Sequence, residues 1–106
     1  SKVEFYSMLS KGPIIIGINA KILKFYESGF IDTTTINNDD CEDVNHSLLC
    51  YKWGIHKNDS NMNQEYIECR NSWGQEWGSF GDVKIIFNED SKKCLSSFAI
   101  RPLTNC

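Results

Sequence analysis

Residues 64–71 (QEYIECRN) alternate with the period of a β-strand, and this parity constrains the chain more than any other feature. Ile67, Cys69 and Asn71 fall on one face, Glu68 and Arg70 on the other. The charged face points to water, so Asn71 is carried inward with the apolar side chains. A buried amide costs free energy unless a polar group meets it. The apolar run at residues 44–53 is the natural strand partner, reached through a polar connection at residues 55–63. Paired as a hairpin, the two strands bring His46, near the start of one, level with Asn71, at the end of the other.

The remaining segments add one helix and several short strands. Residues 2–10 carry Val3, Tyr6, Met8 and Leu9 at helical intervals, and Lys11-Gly12-Pro13 ends that turn before the β-rich run IIIGIN. A further helical turn is predicted over residues 20–26, and a polar loop tied down by Cys41 over residues 32–43. DVKIIF, residues 82–87, is another alternating strand, and residues 98–100 form a short closing one. This pattern predicts an α+β domain built on an antiparallel β-barrel or sheet. At 106 residues the chain is a single domain with a thin core, residues 1–106. Its longest apolar run, Ile14–Ile18, is far too short to span a bilayer. A net charge of −3, with Asp39, Asp40, Glu42 and Asp43 bunched in a solvated loop, disfavours nucleic acid and anionic membranes as partners.

Five cysteines are dense for this length, and the odd count leaves at least one free or paired outside the chain. None forms a CxxC, and neither His46 nor His56 is spaced with cysteines as a zinc ligand, so no metal is expected. An oxidising compartment with one or two disulfides fits better. Cys50 and Cys69 lie inside strands and read as small buried hydrophobes with unreactive thiols; Cys106 is the candidate for a free thiol or an interchain bridge. Asn58-Asp59-Ser60 is a glycosylation sequon in a polar stretch, compatible with secretion. The chain opens without a signal peptide, as if cut from something longer.

Within VNHSLLCY, His46 alone reads as a structural residue before it reads as a catalyst. Asn71 across the ladder changes that reading. An amide oxygen accepts the ring N–H, fixing tautomer and orientation without adding charge, as in a nucleophile–base–orienter constellation. Trp73, two residues on, is placed to keep water from competing for that bond. Taken singly, Trp73 and Trp77 read as core filling or sheet-edge cover.

Four segments in this order, GPIIIGINA, YESGFID, CEDVNHSLLCYKWG and YIECRNSWGQEWGSFGDVKI, resemble the C-terminal half of papain-like cysteine peptidases, the cathepsins included. The resemblance runs from about Val3 to Pro102. It implies the β-barrel-like right domain of a two-domain fold, with His46 as catalytic base and acid, Asn71 as its orienting partner and Trp73 as the shield. It further implies Trp77 as a wall of the primed substrate side, with Asn45, Gly17, Ser47 and Phe98 bordering a pocket for an unprimed side chain. Cys41 and Cys94 take the positions of a disulfide tying the loop before the histidine to the C-terminal segment. Two residues depart from the family pattern: Asp82 stands where an aromatic is common, and Ser47 where alanine is common.

The family's nucleophile lies in the N-terminal half, in a Cys-Gly-Ser-Cys-Trp-like stretch after the oxyanion-hole glutamine, and no cysteine here has that setting. The expectation is therefore one half of a cysteine peptidase, inactive alone, needing no cofactor. Its partners would be a separate chain with the nucleophilic cysteine and a peptide or protein substrate, in a lysosome, a vacuole or outside the cell. The alternative is a papain-like protein that binds peptides without cutting them. A glycan on the second sequon, Asn45-His46-Ser47, would obstruct the cleft, so that site is expected to stay unmodified.

Overall fold

Alternation in IIIGI puts Ile14, Ile16 and Ile18 on one face of β1 (Ile14–Ile18), where all three are buried. The structure, a computed structural model, describes residues 2–33, 36, 41, 43–88 and 94–98. Helix α1 (Lys2–Leu9) lays Phe5 and Leu9, one turn apart, on the same core, and the Phe5 ring centroid lies 4.8 Å from that of Phe87. The expected helical turn after β1 is a 3₁₀ turn (Ala20–Ile22), capped by Asn19, whose Oδ1 accepts from the Lys21 amide at 2.9 Å. Strands β2 (Phe30–Ile31), β3 (His46–Lys57), β4 (Asn63–Arg70), β5 (Asp82–Ile86) and β6 (Ser96–Phe98) complete one sheet in the order β2-β5-β4-β3-β1-β6.

Three expectations change. Among the described strands the sheet does not close, with β2 and β6 at its two edges, so barrel-like is a loose description. The β2–β5 pair is parallel, the others antiparallel. The polar connection of the hairpin shrinks to residues 58–62, because backbone pairing continues past Trp53 to Lys57↔Asn63 although polar side chains mask the period. Gly54 helps there: a Cβ would meet the Tyr66 hydroxyl at 2.6 Å, so only glycine lets that ring lie across the strand. At the hairpin tip, Asn58 Oδ1 accepts from the amides of Ser60 at 2.9 Å and Met62 at 3.0 Å.

The β3–β4 ladder contains a bulge. Trp53↔Ile67 and Lys52↔Glu68 pair in one register, Cys50↔Cys69 and Leu49↔Arg70 in another, leaving Tyr51 as the extra residue. On one side of the bulge Leu48, Cys50 and Cys69, and on the other Ile67, face the core with Val83 and Ile85 of β5. Cys50 and Cys69 are bonded to each other, which corrects the reading of two free, buried thiols. Directly opposed cross-strand positions are what made them bondable, and the register that opposes them depends on the bulge.

A second disulfide, Cys41–Cys94, ties the segment before β3 to the one leading into β6. Closing its 53-residue separation is worth roughly 4 kcal/mol of unfolded-chain entropy, against about 3 kcal/mol for the 19-residue separation of Cys50–Cys69. Cys106, Asp39, Asp40, Glu42 and the end of the predicted strand at Ile100 lie outside the described residues. Ile67→Ala, which empties a fully buried position at the sheet centre, is expected to lower unfolding free energy by roughly 2–5 kcal/mol in denaturant titration.

Candidate active site

The register below the bulge decides which side chains meet. With Leu49 opposite Arg70, Leu48 comes opposite Asn71, and His46 shares the face of Leu48 one step further along β3. His46 Nε2 lies 2.7 Å from Asn71 Oδ1. Asn71 Oδ1 also accepts from the Ser72 amide at 2.8 Å, and a backbone N–H can only donate, so this atom is the carbonyl oxygen. Nε2 must then carry the proton and donate it. The tautomer that results leaves Nδ1 as the basic nitrogen.

Asn71 is only 6% exposed, its backbone N–H donates to Gly81 O at 3.0 Å, and its side-chain Nδ2 has no partner among the described residues. A buried, unmet donor of this kind costs on the order of 1–3 kcal/mol. The Trp73 ring sits 5.0 Å from the His46 ring, tilted by 33°, and meets Trp77 edge-on at 5.3 Å. Trp77 is anchored in turn by its Nε1–H, which donates to Leu23 O at 3.1 Å, and by the Tyr26 ring at 5.6 Å. The glycines of this segment make the tight return possible. A Cβ on Gly78, at φ +60°, would lie 2.7 Å from Asp82 O and press on Tyr26.

Of the residues expected around a substrate pocket, Ser47 lines a concavity of about 260 Å³ beside the dyad, shared with Ile15, Leu49, Arg70, Asn71 and Ser72. Gly17, buried, is Ser47's partner in the β1–β3 ladder, and Phe98 pairs through its backbone with Ile15. Asn45 is exposed and its amide is occupied: Oδ1 accepts from the Ala20 N–H at 2.9 Å and Nδ2 donates to Asp43 Oδ2 at 3.3 Å. Asn58 stands at the far end of the hairpin from His46. No group of three or more metal-ligating side chains occurs among the described residues.

Two contributors escape a reading of the sequence alone. Asn19 is buried as the cap of the 3₁₀ turn that positions Leu23, the anchor of Trp77; an asparagine just before a helical turn was the available signal. Tyr51 projects onto the outer face, where its hydroxyl is shared between Glu68 Oε2 at 2.9 Å and Asp82 Oδ2. Arg70 Nε donates to Asp82 Oδ1 at 2.8 Å, and its guanidinium lies 5.8 Å from the Tyr51 ring centroid. Burial pushes the Asp82 carboxyl upward, but hydrogen bonds from Arg70 and Tyr51 outweigh it and hold the group below its ordinary value. Burial, then hydrogen bonds to Asp82 and Glu68, raise the Tyr51 hydroxyl, which remains a donor.

A family model described as papain family cysteine protease matches residues 2–102, and the chain belongs to that family. Mouse procathepsin L is 33% identical over 106 residues, covering 98% of this chain and 30% of the relative. The structure of digestive procathepsin L 3 from Tenebrio molitor larval midgut superposes with a TM-score of 0.67 at 25% identity, over 92% of this chain and 31% of that one. The bromelain protease of Ananas comosus, in complex with the E64 inhibitor, shares the fold at a TM-score of 0.65 and 21% identity, over 92% of this chain and 45% of that one. The chain therefore spans about a third of the length of the curated relatives it matches.

A carboxyl held low in the folded state adds stability that is complete above its ordinary value of 3.8 and is lost as pH falls through the lower folded value. The thermal midpoint of Asp82→Asn is accordingly expected below that of the unmodified protein at neutral pH, with the gap closing below about pH 4. Melting curves collected across that range measure it.

Proposed function

We propose that this chain supplies the imidazole, its orienting amide and one wall of the cleft of a cysteine peptidase, with the nucleophilic cysteine provided by the N-terminal half on a partner chain. The observation that carries this reading is the His46 Nε2–H donating to Asn71 Oδ1 under the Trp73 ring, which leaves Nδ1 free to exchange a proton. Every cysteine among the described residues is in a disulfide, and Cys106, outside them, lacks the sequence setting of the family's nucleophile, which supports a thiol supplied by the other half. Asn71 Nδ2, a buried donor, is available to an acceptor brought by that other half.

In the reaction the thiolate attacks the peptide carbonyl carbon, and imidazolium Nδ1–H protonates the leaving amine as the C–N bond breaks. The acyl group remains as a thioester. Water then loses a proton to Nδ1 and attacks the thioester carbonyl, releasing the acid and restoring the thiolate–imidazolium pair. Asn71 holds the ring in position through both steps, since a rotated imidazole would present the wrong nitrogen to the sulfur. Trp73 excludes water that would otherwise compete for the Nε2–H bond. Trp77 forms the primed-side wall, and Gly17, Asn45, Ser47 and Phe98 border the unprimed pocket. Two disulfides and the sequon at the exposed hairpin tip fit a secreted, lysosomal or vacuolar protein glycosylated at Asn58.

The 106 residues alone are expected to hydrolyse no fluorogenic peptide, whereas the complete two-half protein does. In the complete protein His46→Ala should lower kcat/KM by roughly 10²–10⁴-fold. Asn71→Ala should lower kcat by a smaller factor. Unchanged kcat/KM in His46→Ala would overturn the reading, and a complete protein that binds peptides without cleaving them would point to the inactive, peptide-binding alternative.

A further inference from the structure

Carried through without an extra residue, the Trp53↔Ile67 pairing would place Leu49 opposite Asn71. His46 lies an odd number of residues from Leu49, so its ring would then point to the opposite face from the amide. The extra residue, Tyr51, is what turns His46 toward Asn71. A bulge displaced past His46 along β3 would undo the dyad with little change to the apolar count of the core, so something must pin it.

Two fastenings grip the bulge from opposite faces. On the core side, Cys50 immediately precedes Tyr51 and is bonded to its ladder partner Cys69, two residues before Asn71 on the same face. On the outer side, the Tyr51 hydroxyl bonds Glu68 of β4 and Asp82 of β5, and Asp82 is held by Arg70, the residue next to Asn71. Slippage in either direction breaks one or both. A bare structural staple could sit anywhere along the hairpin; these two sit at the extra residue itself, between the register that pairs Trp53 with Ile67 and the one that pairs Leu49 with Arg70 and brings Leu48 opposite Asn71.

We propose that Tyr51 and the Cys50–Cys69 disulfide are positioning residues for the His46–Asn71 dyad, fixing the bulge that puts the imidazole and the amide on one face. This rests on the peptidase reading above only in assigning a catalytic consequence to that geometry; the geometry itself can be read separately.

The test compares the complete two-half protein with the variant Tyr51→Phe/Cys50→Val/Cys69→Val. Two quantities are read: kcat per active site titrated with an irreversible thiol inhibitor, and the downfield imidazole N–H resonance of His46 bonded to Asn71. A misplaced base is expected to lower kcat per titrated site by about 10-fold or more with KM within about twofold, because small displacements at the reacting centre are costly. The resonance is expected to broaden or disappear. A lower melting temperature with kcat per titrated site and the resonance both unchanged would overturn the proposal, leaving these residues as ordinary stabilisers. Should the triple variant fail to fold, Tyr51→Phe and Cys50→Val/Cys69→Val are each read by the same two measures, with smaller losses expected and unchanged values again counting against it. An unmodified protein that shows the resonance but cleaves no peptide would sink the peptidase reading while the register proposal is still decided by the resonance in the variants.

Discussion

The pairing of β3 with β4 is the constraint on which the rest of this molecule depends. It joins the apolar centre of the sheet, through Leu48, Cys50, Ile67 and Cys69, to the polar end where His46 meets Asn71. Everything else is arranged around that ladder. β1 and β5 flank it and complete the buried face with Ile16, Ile18, Val83 and Ile85, and α1 covers that face with Phe5 and Leu9. The loop after β4 folds back so that Trp73 covers the imidazole and Trp77 reaches the segment after β1. A polar dyad at the rim of an apolar sheet needs this support, because a hydrogen bond open to water would be worth little and would orient nothing.

In the proposed reaction the two ring nitrogens divide the labour. One is committed to an amide that cannot ionise, which fixes the tautomer at no electrostatic cost to the imidazolium. The other is left for proton transfer. A carboxylate in place of Asn71 would stabilise the charged ring and weaken its ability to give up the proton; an amide steers without that bias. On the opposite face, Asp82, where the resemblance led to the expectation of an aromatic, is bonded to Tyr51 and Arg70, with Glu68 sharing the Tyr51 hydroxyl. The departure from pattern is compensated locally, within a few ångströms of the residues that set the register.

Much of this was legible in the sequence. Strand parity alone turned Asn71 inward, and the apolar period of IIIGI and DVKII gave the two flanking strands. The bulge was not legible, since an extra residue in a ladder leaves no mark on composition or period; it shows only when two strands are laid against each other. The Cys50–Cys69 bond was hidden for the same reason. Cysteines in adjacent strands look like any buried small side chain until the register opposes them. β3 ran past Trp53 because backbone hydrogen bonding continued where side-chain alternation had turned polar, and the parallel β2–β5 pair joins segments too far apart in sequence for local signals to reveal. At the site, histidine, asparagine and tryptophan were readable as a set, while Leu23, whose carbonyl anchors Trp77, was not, and Asn19 offered only its place before a helical turn.

The central claim is that His46 and Asn71 form half of a thiolate–imidazolium pair completed by a cysteine on the other half of the protein. The alkylation rate of that cysteine in the complete protein, followed across pH, tests it most directly. A reactive thiolate is expected at mildly acidic pH, and His46→Ala should return the profile to that of an ordinary thiol with a pKa of about 8.5. An ordinary profile in the unmodified protein, identical to that of His46→Ala, would contradict it.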